Sequence, residues 1–272
     1  MKKLISIFIL FIFIFSCSSD PKKVEVENII PKTEELVATI NYEVIGSFPH
    51  DLTAYTEGLF FHDKQLYEST GAPETQTQYK TVIGIIDTIN GKLNAKIDLG
   101  RTYFGEGAII LNDKFYQLTY KNQIGFVYDA KTYKQINRFT YKNKEGWGLT
   151  TDGVSLIMSD GTNVLTYLDP ITLQPTKTIN VTNAGYAEDN INELEFIDGY
   201  IYANIWTKNY IVKIDIKTGK VVGVMDCSQL SDEAHRTNPE SDVLNGIAYD
   251  PITKRMFVTG KGFPKVYVLK LR

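Results

Sequence analysis

Glu106 stands between two glycines and beside aromatic residues in Tyr103-Phe104-Gly105-Glu106-Gly107. Flanking glycines let backbone or ligand approach this carboxylate closely. It equally suits an acceptor that ties neighbouring units of the fold together, and spacing alone leaves both readings open. The only two tryptophans, Trp147 in Glu145-Gly146-Trp147-Gly148 and Trp206 in Asn204-Ile205-Trp206, fit either a core or an aromatic wall for a small apolar or amide group. Asn192 and Asn245 carry amides, which offer a substrate a donor and an acceptor but can also join structural units. Other chemistries have no pattern to rest on. There is no G-x-S-x-G, no H-E-x-x-H and no G-x-x-x-x-G-K-[ST]. His50, His62 and His235 lack metal-ligand spacing, and Cys17 and Cys227 are 210 residues apart, so neither a zinc site nor a disulfide framework is implied.

The elements that must position these residues recur. Thr56-Glu57-Gly58-Leu59, Gly105-Glu106-Gly107-Ala108, Gly146-Trp147-Gly148-Leu149, Asn192-Glu193-Leu194-Glu195 and Leu244-Asn245-Gly246-Ile247 are variants of one segment. Taking 58, 107, 148, 194 and 246 as equivalent gives steps of 49, 41, 46 and 52 residues, the length of a propeller blade. Each variant opens a hairpin, as in Gly107 to Leu111, the turn Asn112-Asp113, then Lys114 to Leu118. A second turn, opened by Asp87, Asp129, Asp169 or Asp215, joins two further strands; an aspartate there accepts backbone N–H groups two residues on. No long helical pattern interrupts the strands. The fold class expected is therefore all-β, a five-bladed β-propeller, with a β-sandwich as the weaker alternative. Because one point of every blade faces the axis, Glu106 and Trp206 can meet in one pocket. The last repeat lacks a strand, and the run Ile40 to Phe48 is available to supply it beside Val266 to Lys270, closing the ring.

With 272 residues, 43% hydrophobic and 22% charged, the chain can bury a large core. A formal charge of -3 provides no basic field for nucleic acid. At the amino terminus Met1-Lys2-Lys3 precedes an apolar run from Leu4 to Phe15 and then Ser16-Cys17-Ser18, an export signal whose end resembles the lipobox of bacterial lipoproteins. Residues 1–16 are then a signal peptide. Residues 17–39 form a flexible tether carrying lipid on Cys17, and residues 40–272 the propeller. The protein is expected outside the cytoplasm on a bacterial membrane, as a monomer. An ordinary signal peptide with an incidental cysteine is the alternative. Cys227, without a cysteine partner in the mature chain, is expected to be buried and inert.

From about residue 45 to 272 the chain resembles, in order, the plant and bacterial type of glutaminyl-peptide cyclotransferase. The motifs that carry it are Ala54-Tyr55-Thr56-Glu57-Gly58-Leu59, Tyr103-Phe104-Gly105-Glu106-Gly107, Glu145-Gly146-Trp147-Gly148-Leu149-Thr150, Asn192-Glu193-Leu194-Glu195, Ala203-Asn204-Ile205-Trp206, Leu244-Asn245-Gly246-Ile247-Ala248 and Thr259-Gly260-Lys261. The resemblance implies a zinc-independent five-bladed propeller that turns an amino-terminal glutamine into pyroglutamate, with peptides or proteins as partners and no catalytic cofactor. A structural calcium ion in the central channel is left open. Glu106 matches the essential acid/base residue, Trp147 and Trp206 the pocket tryptophans, and Phe104 an adjoining aromatic. Asn192 and Lys261 match polar residues near the reacting amide, expected to orient it and stabilise the oxyanion. Glu57 stands where plant members have glutamine, at the pocket entrance, and Tyr55 is expected in the same pocket. Tyr120 and Phe263 replace tryptophans while keeping an aromatic face, which bears on substrate preference. The competing function is a lipid-anchored propeller that binds peptides or glycans without turnover.

Overall fold

The computed structural model describes residues 37–272. The expected signal peptide, lipid anchor and most of the expected tether lie outside the described residues.

Inner strands of a propeller are packed on both faces, whereas outer strands meet water, and the sequence reflects this. Gly105–Leu111 is buried at every position; Gln135–Thr140, the outer strand of the same sheet, is exposed at all but one. The first blade comprises Thr56–His62, Gln65–Thr70, Thr81–Ile86 and Leu93–Gly100, all antiparallel. Gly105–Leu111, Lys114–Thr119, Ile124–Asp129 and Gln135–Thr140 make the second. The third, with short inner strands, is Leu149–Thr151, Leu156–Met158, Val164–Leu168 and Pro175–Asn180. Ile191–Ile197, Tyr200–Ile205, Tyr210–Asp215 and Val221–Asp226 form the fourth. The five inner strands pack side by side in a closed cycle, each against its two neighbours.

Closure of the ring is as the missing strand predicts. Tyr42–Pro49 pairs antiparallel with Lys265–Leu271, placing Phe48 opposite Val266 and Val44 opposite Leu269, beside Arg255–Gly260 and Leu244–Asp250. The five-bladed β-propeller is thus sealed by joining its two ends within one sheet.

Local chemistry sets the turns. Asn112 and Asp113 both adopt positive φ, 52° and 58°, as a tight two-residue hairpin requires. Asp87 accepts Ile89 N–H at 2.8 Å, Asp129 accepts Thr132 N–H at 2.7 Å, Asp169 accepts Ile171 N–H at 2.9 Å and Asp215 accepts Lys217 N–H at 2.7 Å. Cys227 is fully buried; burial above all, with Asp226 nearby, pushes its thiol up to about 12.

Two details differ from expectation. Ala38–Thr39 pairs parallel with Val221–Asp226, so these two residues, assigned to the tether, belong to the propeller. A helix, Ser228–Thr237, links the fourth and fifth blades. Its apolar residues are Leu230 and Ala234 alone, too few to register as an amphipathic stripe in the sequence.

Candidate active site

Two recurring blade positions build the site. The first is a break in the ladder between the inner two strands, between Thr56 and Gly58, Gly105 and Ala108, Ile191 and Leu194, and Leu244 and Ile247. Such a bulge re-aims the residues it contains, here Glu57, Glu106, Asn192 and Asn245. In the third blade Trp147 and Gly148 precede the strand instead, held by Trp147 N–H to Ser159 O and Ser159 N–H to Gly148 O, both 3.1 Å. Close approach of these segments requires glycine. A Cβ on Gly107 would lie 2.3 Å from the Leu149 nitrogen, and one on Gly148 2.1 Å from the Asn192 oxygen.

The second position is the residue that follows the second strand. Gly71, Tyr120, Trp206 and Lys261 each donate their backbone N–H to the residue just before the inner strand of the same blade. The acceptors are Tyr55 O (2.8 Å), Phe104 O (3.0 Å), Asn190 O (2.8 Å) and Val243 O (3.0 Å). One backbone scaffold therefore presents different side chains from blade to blade.

These positions converge on a cleft of about 440 Å³. Glu106, Asn192 and Lys261 line it together with Phe104, Trp147, Trp206, Tyr120, Glu57 and Tyr55. Its polar groups are deep: Glu57, Asn192, Glu106 and Lys261 are all buried. Trp206 is 44% exposed and forms part of the rim. The aromatic lining comes in two groups, Trp147 and Trp206 with ring centroids 5.8 Å apart, and Tyr55, Phe104 and Tyr120 with 6.2 Å between the first two and 5.5 Å between the last two.

The family model for glutamine cyclotransferase matches residues 10–271. The chain belongs to the glutamine cyclotransferase family. A glutaminyl-peptide cyclotransferase of Arabidopsis thaliana is 38% identical over 232 residues, covering 85% of this chain and 71% of that protein. The crystal structure of Myxococcus xanthus glutaminyl cyclase superposes with a TM-score of 0.79 at 33% identity, covering 87% of this chain and 98% of that one.

Within this cyclotransferase fold the electrostatics centre on two carboxyl groups and one ammonium. Lys261 Nζ donates to Glu57 Oε1 at 2.7 Å and lies 4.6 Å from the Tyr55 ring centroid. Asn245 Nδ2 donates to Thr56 O at 2.9 Å and to Glu57 Oε2 at 3.3 Å. Glu106 adjoins Glu57 in the cleft, and its own backbone carbonyl accepts Ser69 Oγ–H at 2.6 Å. Burial first, then the adjacent Glu57, raises the Glu106 carboxyl well above the usual range. Glu57 is raised too, by burial, against the pull of Lys261. Asn192 Oδ1, buried at the cleft, makes no hydrogen bond among the described residues.

Glu57 is 1% exposed, so it sits deep in the pocket rather than at its entrance, where the resemblance would put it. Phe263 does not line the cleft: fully buried, it packs among core residues and against the His235 ring at 6.0 Å. Asn245 joins the fifth blade to the first through its bond to Thr56 O. Glu145, Asp160 and Asn190 also line the cleft, and sequence reasoning gave them no role. Glu145 accepts Trp147 Nε1–H at 2.9 Å and pairs with Lys121 at 3.8 Å. Its nearness to Trp147 in the chain was a usable signal; Asp160 and Asn190 had none. No three His, Cys, Asp or Glu side chains form a metal cluster among the described residues. Glu193 spends both carboxylate oxygens on Leu59 N–H and Ile247 N–H, at 3.1 and 2.8 Å.

Proposed function

We propose that this cleft converts the amino-terminal glutamine of a peptide or protein into pyroglutamate with release of ammonia, and that Glu106 carries the proton. Family membership supports the reaction. The observation that carries the assignment of Glu106 is its burial, at 4% exposure, in an aromatic cleft beside an ion pair, where burial favours the protonated form of its carboxyl group.

Amine and γ-amide belong to one residue, so an enzyme that holds the side chain folded back on its own amine gains the advantage of an intramolecular reaction. The α-amine, with an ordinary pKa of about 8, is available in its neutral form near neutral pH. As the amine nitrogen bonds to the γ-carbon, Glu106 gives its proton to the departing amide nitrogen. It takes one back from the new ring nitrogen. One N–C bond forms, one breaks, ammonia leaves, and Glu106 ends as it began. Asn192 Oδ1 is an open acceptor for a substrate N–H, and Lys261 retains donors beyond its bond to Glu57 to face the oxyanion. Acid/base groups suffice for this acyl transfer, so we assign no cofactor to it. Trp147, Trp206, Phe104, Tyr120 and Tyr55 enclose the apolar part of the glutamine side chain.

Incubation of the purified protein with glutamine-initiated peptides tests the reaction: each product should be lighter by one ammonia in mass spectrometry. Unchanged masses for every such peptide would leave the binding-only propeller standing. We place the enzyme on the periplasmic or cell-surface face of a bacterial membrane, anchored by lipid on Cys17, from the order Lys2-Lys3, apolar run, cysteine. Expressed with its own amino terminus in a bacterium, it should fractionate with membranes, and Cys17→Ser should release it or block processing. Soluble protein retaining Met1 would refute the anchor.

A further inference from the structure

Glu57 is built into the site as a charge rather than as a contact. Its carboxylate has partners on every side. Lys261 lies on Oε1 at 2.7 Å, Asn245 Nδ2 on Oε2 at 3.3 Å, and the Glu106 carboxyl group against it. The fifth blade supplies Lys261 and Asn245, the second Glu106, and the first Glu57 itself. Two adjoining buried carboxyl groups do not both ionise readily, so one of them holds a proton. The ammonium of Lys261 is bonded to Glu57, which favours the anion there and leaves the proton on Glu106. The other charged or titratable groups that act on Glu57 are Asp242 and Tyr55, whose hydroxyl donates to Asp242 at 2.7 Å; Glu145 and Tyr141 act on Glu106. All but Lys261 are acidic or neutral, so none competes with it for the role of counter-ion.

We propose that Glu57 is a positioning residue of the cyclotransferase reaction, the ionised member of the carboxyl pair, which docks Lys261 and keeps the neighbouring Glu106 carboxyl loaded with the proton it delivers. This rests on the function proposed for Glu106 and adds the device that prepares it. The neighbouring anion ranks next after burial among the influences that raise Glu106, which agrees with the geometry.

The sign of the test follows. With protonated Glu106 as the active form, kcat falls at alkaline pH as that proton is lost. Glu57→Gln removes the adjacent negative charge, so Glu106 ionises more easily and the alkaline limb of kcat should move to lower pH, by about one unit or more. Glu57→Asp keeps the charge and should leave the limb within a few tenths of its wild-type position. A second readout does not need turnover: the infrared carbonyl band of a protonated carboxyl group, identified by its loss in Glu106→Gln, should titrate at lower pH in Glu57→Gln. Full-length protein with circular dichroism and a melting curve for each variant provides the folding control.

A limb and a band that do not move in folded Glu57→Gln overturn the proposal, as does Glu57→Asp shifting the limb as far as Glu57→Gln. Should Glu57→Gln fail to fold, the wild-type band decides, and a Glu106 already ionised at neutral pH overturns it. If the wild type cyclises no peptide, the reaction assignment fails, while the band still reports whether Glu57 holds the proton on Glu106.

Discussion

Glu106 and Trp206 belong to one cleft but differ in depth: Glu106 is 4% exposed and Trp206 44%. Their losses should therefore differ in kind. Glu106→Gln preserves shape and hydrogen-bonding capacity while abolishing proton exchange, so kcat should fall by about two to four powers of ten, the usual contribution of general acid/base catalysis. KM should change little. Trp206→Ala removes a rim aromatic that packs edge-on to Trp147, 5.8 Å between centroids, without touching the proton path. Its KM should rise at least as clearly as its kcat drops. Steady-state kinetics on one glutamine-initiated peptide measures both. Near-normal turnover by Glu106→Gln would remove it from the mechanism, and an unchanged KM for Trp206→Ala would remove that wall from the substrate site.

At the scale of elements, what the sequence displays is a repeat, and what it hides is the side-chain direction that the repeat produces. The five variant segments are readable because glycines recur where inner strands crowd the axis, as the backbone lying 2.3 Å from a Cβ on Gly107 explains. The turns are readable because Asp129 and its counterparts accept backbone N–H groups in the same way from blade to blade. The bulges at Glu57 and Glu106 are not readable, since an extra residue in a ladder leaves no mark on composition. The resemblance puts Glu57 at an entrance, and nothing in the sequence turns it instead against Lys261. Phe263 shows the complementary failure: an aromatic two residues beyond Lys261 turns into the core, and only packing decides this. Asn190 and Asp160 enter the site through loops with no apolar period, where sequence pattern carries no information about direction.

The whole molecule depends on one seam, where the fifth blade completes itself with Tyr42–Pro49 from the start of the propeller. His50 follows that strand directly and locks it on both sides. Its backbone N–H reaches Pro264 O at 3.0 Å, Nδ1 faces Phe263 O at 2.8 Å, and Nε2 faces Glu68 Oε1 at 3.0 Å. Thr56 Oγ1 donates to the same Glu68 oxygen at 2.7 Å. Both ring nitrogens thus meet acceptors, a carbonyl and a carboxylate, and only the doubly protonated imidazolium donates to both. Burial is the largest single influence and opposes that charge, but Glu68, together with Phe263 O and Asp51, outweighs it, and the folded pKa of His50 lies above its ordinary value. A group whose folded pKa exceeds an unfolded value of about 6.5 contributes stability in full below that pH, and the contribution is lost as pH rises through the folded pKa. His50→Gln, which leaves Glu68 buried without its counter-charge, should cost about 3 kcal/mol at acid pH, the order expected when one partner of a buried ion pair is removed. Urea unfolding of wild type and variant, repeated from pH 5.5 upwards on buffers of constant ionic strength, should show this difference shrinking at the alkaline end. A gap of the same size at every pH would mean that His50 is neutral in the folded ring and that the seam is held by packing and neutral hydrogen bonds alone.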